Sequence, residues 1–224
     1  MNRRRVMGGG IPAQPSWQSY VQNGLVACWD GEANTGTSHD ADATNWIDCV
    51  AGYVTAGHNA TWGDNYAAFG GSTRFIVSAA DAIAAFKNLY VEAVFMTNSP
   101  TAFQMVFCSE SKRVIGLNKT VLVLAGSSSG NKPGYSPITT TDIVSLSVNY
   151  SNWSLYKNGV QQTKTMDVLN GTGNNYLIGA RLQGSSWSGY LNGKIYCLRF
   201  YDRKLSESEI VTNFNVDKAR FGIQ

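Results

Sequence analysis

The chain has 224 residues, of which 43% are hydrophobic and only 15% charged, a balance that folds and excludes a disordered polyampholyte. Its formal charge of +3 resides in Arg3, Arg4 and Arg5, since without them basic and acidic residues balance at 15 each. That excludes the broad basic footprint of a nucleic-acid-binding domain, and no apolar run approaches the roughly 20 residues that a membrane-spanning helix needs.

Residues 1–20 read as an arm, extended or flexible, with Gly8-Gly9-Gly10, Pro12 and Pro15 breaking any regular element. The basic start resembles the first part of a secretory signal, but Val6-Met7-Gly8-Gly9-Gly10-Ile11-Pro12 is no apolar segment. The sequence therefore predicts a product made and assembled in a cytoplasm. Residues 21–224 form one domain without internal repeats. With 23 glycines and 12% aromatics, the domain leans toward an all-β fold with many turns.

Strand signals begin at Gly24-Leu25-Val26-Ala27-Cys28-Trp29 and end at Asp30-Gly31, before a polar loop from Glu32 to Thr44. Short strands follow at Trp46-Ile47-Asp48, Tyr53-Val54-Thr55, Tyr66-Ala67-Ala68-Phe69 and Arg74-Phe75-Ile76-Val77. Ser78-Ala79-Ala80-Asp81 opens a short helical turn. Residues 89–97 are almost wholly apolar, as in a strand covered on both faces. Further strands are predicted over 102–108, 113–117 and 120–125. Ile143 to Tyr150 alternates, and predicts one buried face (Val144, Leu146, Val148) and one polar face (Ser145, Ser147, Asn149). Asn158-Gly159 between two strands predicts a tight hairpin, because both turn residues tolerate positive φ. The last strands lie near 175–181 and 194–201. Ser206-Glu207-Ser208-Glu209 is a capping box for a closing helix, with Ile210, Val211 and Phe214 as its expected inner face.

About a dozen short strands with irregular loops predict a two-sheet sandwich or barrel. Three strings carry a resemblance that spans nearly the whole domain. The first is Gly24 to Glu32 with His39-Asp40 and Ala43-Thr44-Asn45-Trp46-Ile47-Asp48. The second is Tyr156-Lys157-Asn158-Gly159. The third runs from Tyr176-Leu177-Ile178-Gly179-Ala180-Arg181 through Leu191-Asn192-Gly193-Lys194-Ile195-Tyr196 to Arg199-Phe200-Tyr201-Asp202-Arg203-Lys204-Leu205-Ser206-Glu207-Ser208-Glu209-Ile210. They resemble laminin-G-like domains of the concanavalin A-like lectin/glucanase superfamily. The resemblance implies a two-sheet antiparallel jelly-roll sandwich with a short C-terminal helix behind an extended N-terminal arm. The ending Asn213 to Ile223 and the Arg-rich start resemble versions found in tailed-bacteriophage virion proteins, such as capsid decorations, head fibres and tail modules.

Chemistry is sparse in the sequence. A retaining glycosidase needs two carboxyl groups about 5 Å apart. Of Glu32, Glu92, Glu110, Glu207 and Glu209, only Glu92 lies inside a predicted strand, and no second carboxylate stands at i+2 or i+4. The sequence thus predicts no catalytic residues and no enzymatic activity. His39-Asp40-Ala41-Asp42 offers hard oxygen donors of the kind calcium takes, though such loops are more often simply solvated. The thiols Cys28, Cys49, Cys108 and Cys197 form no CxxC pair, so no metal site is expected. They read as buried free thiols, with a Cys28–Cys49 disulfide as the alternative.

Sugar binding stacks C–H faces on aromatic rings while polar groups fix the hydroxyls. Trp29 and Trp153 sit in strands and Trp46 in the fold's turn motif, all read as core. Trp62 with Asp64, and Trp187 with Tyr190, lie in polar stretches and form the candidate glycan platform; the plainer alternative is that each ring packs over a sheet edge. The sequence therefore predicts a non-enzymatic, lectin-like module of a bacteriophage virion that binds host or mucus glycans. Arg3, Arg4 and Arg5 would dock the arm on another virion protein, and several copies would form a homo-oligomer. A purely structural, adhesive capsid protein without a glycan site and a bacterial carbohydrate-binding module remain the alternatives.

Overall fold

Alternating apolar residues give each sheet one apolar face, and two such faces close on each other. The computed structural model describes residues 15–77, 90–98, 103–109, 114–118, 121–125, 135–137, 143–149, 154–162, 176–183 and 185–224. A 3-10 turn, Trp17–Ser19, precedes β1 (Leu25–Asp30), and a second, Gly31–Ala33, follows it. Then come β2 (Asn45–Ile47), β3 (Val54–His58), β4 (Thr61–Gly63), β5 (Tyr66–Gly70), β6 (Arg74–Val77), β7 (Tyr90–Thr97), β8 (Phe103–Ser109), β9 (Val114–Asn118), β10 (Val121–Ala125) and β11 (Tyr135–Pro137). The chain continues through β12 (Val144–Asn149), β13 (Ser154–Lys157), β14 (Val160–Gln161), β15 (Tyr176–Ile178), β16 (Arg181–Gln183), β17 (Ser186–Ser188) and β18 (Asn192–Tyr201) to helix α1 (Glu207–Phe221).

Sheet A runs in the order β14-β13-β12-β7-β18-β5-β4, with β1 also paired to β18; sheet B runs β11-β10-β9-β8-β15-β6-β3-β2, and β16-β17 form a separate hairpin. Their strand pairs are antiparallel. The all-β two-sheet sandwich with one short C-terminal helix is thus the observed fold. Between the sheets lie Trp29, Trp46, Phe69, Phe75, Phe95, Phe107, Leu146, Ile195 and Phe200, all essentially without solvent contact. Burying each such side chain stabilises the fold by about 1.5–3 kcal/mol. The rings interlock edge to face, with Phe107–Phe200 centroids at 5.0 Å and Trp29–Phe200 at 5.5 Å. Trp29 and Trp46 are core rings as expected. Trp153, the helical turn at Ser78-Ala79-Ala80-Asp81 and Arg3, Arg4 and Arg5 lie outside the described residues.

Strand β7 is buried along almost its whole length, as its unbroken apolar run predicts. Asn158 and Gly159 take φ of 51° and 73°, the tight turn between β13 and β14. In β12 the expected polar face is not exposed: Ser145 and Ser147 are buried because α1 lies over that side of sheet A. The capping box of α1 forms, with Ser206 Oγ accepting from the Glu209 N–H and Glu209 accepting from the Ser206 N–H. Its inner face differs from the apolar one predicted. Val211 is 45% exposed and Phe214 is only half-buried, whereas Ile210, Asn213, Asp217, Arg220 and Phe221 are buried. Ile210 thus faces inward as expected and Phe214 packs at the edge of that face, but three of the five buried residues are polar or charged, which the hydrophobic pattern does not show. Trp17 and Tyr20 also pack on the outside of sheet A, which builds the last residues of the expected arm into the sandwich.

Candidate functional site

The two outer faces of the sandwich hold different chemistry. On sheet A the β12–β7–β18–β1 register places Ser147, Glu92, Arg199 and Cys28 in one row across four strands. Arg199 Nε donates to Glu92 at 2.9 Å, and its two terminal nitrogens donate to Asp217 of α1 at 2.6 and 2.9 Å. Glu92 also accepts from Ser147 Oγ and Asn213 Nδ2; Asp217 accepts from Ser145 Oγ and from the Tyr20 hydroxyl. The Tyr20 ring lies 3.8 Å from the Arg199 guanidinium. A second cluster follows one turn along α1, where Arg220 donates to both oxygens of Asp30, to Glu32 and to Tyr20.

This network is sealed: Arg199, Glu92 and Asp217 are at most 1% exposed. Burial pushes the Glu92 carboxyl above the usual carboxylate range, against the pull of Arg199. Desolvation draws Arg199 down, but Asp217 and Glu92 more than reverse it and hold the guanidinium above its ordinary value. Burial, then Asp217, raises the Tyr20 phenol well above its ordinary value. A second carboxylate therefore does stand beside Glu92, but it comes from the helix and both are locked onto one guanidinium, away from solvent.

All four cysteines are free thiols, three buried and Cys49 half-buried. Cys28 and Cys197 sulfurs lie 3.8 Å apart. Cys28, Asp30 and Cys197 bring ligand-type atoms within 4.8 Å of one another, a grouping that spacing along the chain does not reveal. Both Asp30 oxygens are held by Arg220, and burial raises the Cys28 thiol well above its ordinary value. The grouping thus presents a carboxylate already engaged by Arg220 and a thiol that burial holds in its protonated form. In the loop proposed for calcium, Asp40 accepts from the Asp42 N–H at 2.9 Å and His39 Nδ1 donates to the Gly31 carbonyl at 3.0 Å; both side chains serve the local turn.

The β16–β17 hairpin lies over the outer face of sheet B. Gly179 directs the chain into it, with φ of 78° and the Phe69 ring where a Cβ would stand. Leu182 and Trp187, paired across the hairpin, pack on Met105, Cys108 and Leu177 of β8 and β15. The Arg74 guanidinium lies 4.3 Å from the centroid of Trp187. Arg181 likewise lies 4.7 Å from Phe103 and donates to Ser188 Oγ at 3.1 Å. Beyond the hairpin, Val54, Ala56 and His58 of β3 are exposed.

Trp62 and Trp187, read as loop residues, belong to the short strands β4 and β17. Trp62 is half-buried at the mouth between the sheets, edge to face with Trp46 at 5.3 Å, tilted against Phe75 at 5.7 Å, its Nε1 donating to the Ala43 carbonyl at 2.7 Å. Asp64 is exposed at the β4–β5 turn, and Tyr190 is half-buried just after β17. Asp64 thus stands two residues past Trp62 and Tyr190 three past Trp187, but the two groups do not meet. Phe75 touches Trp62 and its neighbour Arg74 touches Trp187; successive residues of a strand point to opposite faces, so the two rings lie on opposite sides of sheet B. The residue that sequence reasoning missed is Arg74, whose only signal was a cation opening an otherwise apolar strand.

No protein-family model and no curated protein sequence matches the chain. Solved structures do share its fold. A Trypanosoma rangeli sialidase in complex with sialic acid superposes with a TM-score of 0.65 at 16% identity, covering 87% of this chain and 33% of that one. The same sialidase as a covalent intermediate with 2,3-difluorosialic acid gives 0.65, again at 16% identity, over 93% and 35%. The binding domain of Botulinum neurotoxin DC in complex with SialylT gives 0.61 at 14% identity, over 86% and 51%. The chain thus spans about a third of the sialidases, and what the likeness establishes is the sandwich fold. These neighbours correct the expectation of a chain without enzymatic activity, because proteins sharing its fold include sialidases.

Proposed function

We propose that this chain is a carbohydrate-binding, lectin-like module whose glycan site lies on the outer rim of sheet B, around the β16–β17 hairpin. One observation carries the reading. The half-buried Trp187, with Arg74 on its ring and Tyr190 two residues past its strand, stands on the outer face that α1 leaves open. An aromatic ring beside a polar donor is the combination that holds a sugar. The neighbours add weight, since one is a toxin binding domain in complex with SialylT and another a sialidase in complex with sialic acid.

The setting we infer is a bacteriophage particle, in which the module is a capsid decoration, head fibre or tail protein exposed to host or mucus glycans. This rests on the closing string Asn213 to Ile223 and on the basic start. Arg3, Arg4 and Arg5 dock the arm on another virion protein, and copies group as a homo-oligomer.

The test is a glycan array probed with the full chain, beside Trp187→Ala and Trp62→Ala. Binding lost with Trp187→Ala and kept with Trp62→Ala supports the sheet B site. The reverse pattern moves the site to Trp62 and Asp64. No binding to any glycan overturns the reading in favour of a structural, adhesive protein. Released sugar measured on the same panel shows whether the chain cleaves what it holds.

A further inference from the structure

Arg74 differs from the buried arginines of the molecule. Arg199 and Arg220 are each held by two carboxylates, and Arg203 by Glu209. Arg74 makes no ion pair and no hydrogen bond among the described residues, and its Nε is buried without a partner. Its guanidinium lies instead against the Trp187 ring, 4.3 Å from the centroid. The side chain as a whole is only half-buried, and its two terminal nitrogens are not among the buried unpartnered atoms, so they face solvent.

That geometry gives Trp187 a second part in the site. The guanidinium lies on the ring, which also packs against the Met105, Cys108 and Leu177 cluster. The indole thus supports a cation within the same ring-and-donor arrangement that would hold the sugar. A flat guanidinium stacked on an aromatic ring keeps its edge free and is fixed in direction, which suits it to a planar carboxylate through two parallel hydrogen bonds. His58 stands directly opposite Arg74 in the β3–β6 ladder and is exposed, so an imidazole flanks the same spot.

We propose that Arg74, seated on Trp187, is the acid-recognising residue of this face, and that the glycans bound there carry a carboxylate, as sialic and uronic acids do. The proposal rests on the glycan-binding reading above and adds the ligand class to it. Arg74 makes the forked contact, Trp187 sets its direction, and His58 supplies a neighbouring donor.

The experiment uses matched sets of glycans on one array: a neutral core, the same core with a terminal sialic or uronic acid, and the same core sulfated. The full chain, Arg74→Gln and Arg74→Lys are compared, with thermal unfolding confirming that each variant is folded. The expected result is binding to the carboxylated members at least about tenfold tighter than to their neutral cores. Arg74→Gln abolishes that preference. Arg74→Lys restores little of it, because an ammonium is a point charge without a fork. Added salt weakens the carboxylate preference only partly, as for a half-buried contact. Equal binding of neutral and carboxylated members, or an unchanged preference in Arg74→Gln, overturns the ligand class while glycan binding stands. Sulfated members binding as well as carboxylated ones overturns the forked carboxylate contact. No binding to any member overturns both proposals.

Discussion

Two arginines on neighbouring regions of one sandwich meet opposite fates. Arg199 lies on the outer face of sheet A, 1% exposed, with Glu92 and Asp217 fully engaged. Arg74 lies on the outer face of sheet B with an aromatic ring as its contact and no carboxylate among the described residues. A buried charge must be paired, because its desolvation is otherwise uncompensated. A charge that is left with a ring alone survives only where water still reaches its end. Sheet A has thus turned its polar row into a fastening for α1, whereas sheet B keeps a half-buried cation on an aromatic ring.

The sharpest way to break this contrast is to unpair the sealed face. Asp217→Ala leaves Arg199 with Glu92 alone and is expected to lose about 3–5 kcal/mol in urea unfolding; a loss under about 1 kcal/mol would mean the network does not hold the helix. Tyr20→Phe removes a hydroxyl that links Asp217 to Arg220, with an expected loss of about 1–3 kcal/mol. Ser206→Ala removes the helix cap, for about 1 kcal/mol. The Arg203 contact and the cap hold the Glu209 carboxyl down at about 2. Its contribution is therefore complete above the ordinary carboxylate range of about 4.3 and is lost as pH falls through about 2. For this partly exposed pair that contribution is about 0.5–1 kcal/mol, so Glu209→Gln should flatten the acid limb of a stability–pH curve by that amount. Arg74→Gln should change stability by less than about 0.5 kcal/mol. A larger loss would make Arg74 a structural residue and remove the contrast.

The sandwich was legible because its inner faces follow the period-2 rule and its turns use Asn158-Gly159 and Asp30-Gly31. The capping box of α1 was legible for the same local reason. What lay beneath α1 was not. Ser145 and Ser147 look like solvent-facing residues in β12, and Asn213, Asp217 and Arg220 look like the wet side of an amphipathic helix. Each polar set hides the other, since partners such as Ser147 with Glu92, Ser145 with Asp217, Asn213 with Glu92 and Arg220 with Asp30 lie 55 to 190 residues apart in the chain. Hydrophobic periodicity carries no sign of a buried polar interface. On sheet B, Trp62 and Trp187 were singled out as rings in polar surroundings, yet their short strands β4 and β17 were too brief to show a period. The role of Trp187 became readable only with Arg74 on its ring, more than a hundred residues upstream in the sequence.

The ties between the two ends of the domain also set when it can be finished on the ribosome. Asp30 waits for Arg220 and Tyr20 for Asp217, across 190 and 197 residues, and β18 must slot between strands made long before it. Folding dominated by such distant pairings is slow, and the first strands emerge with an apolar face and an unpaired edge. Until residues 192–221 have been synthesised, the nascent domain is an open sheet whose exposed edges invite other chains, which makes late synthesis the stage at which misassembly should concentrate.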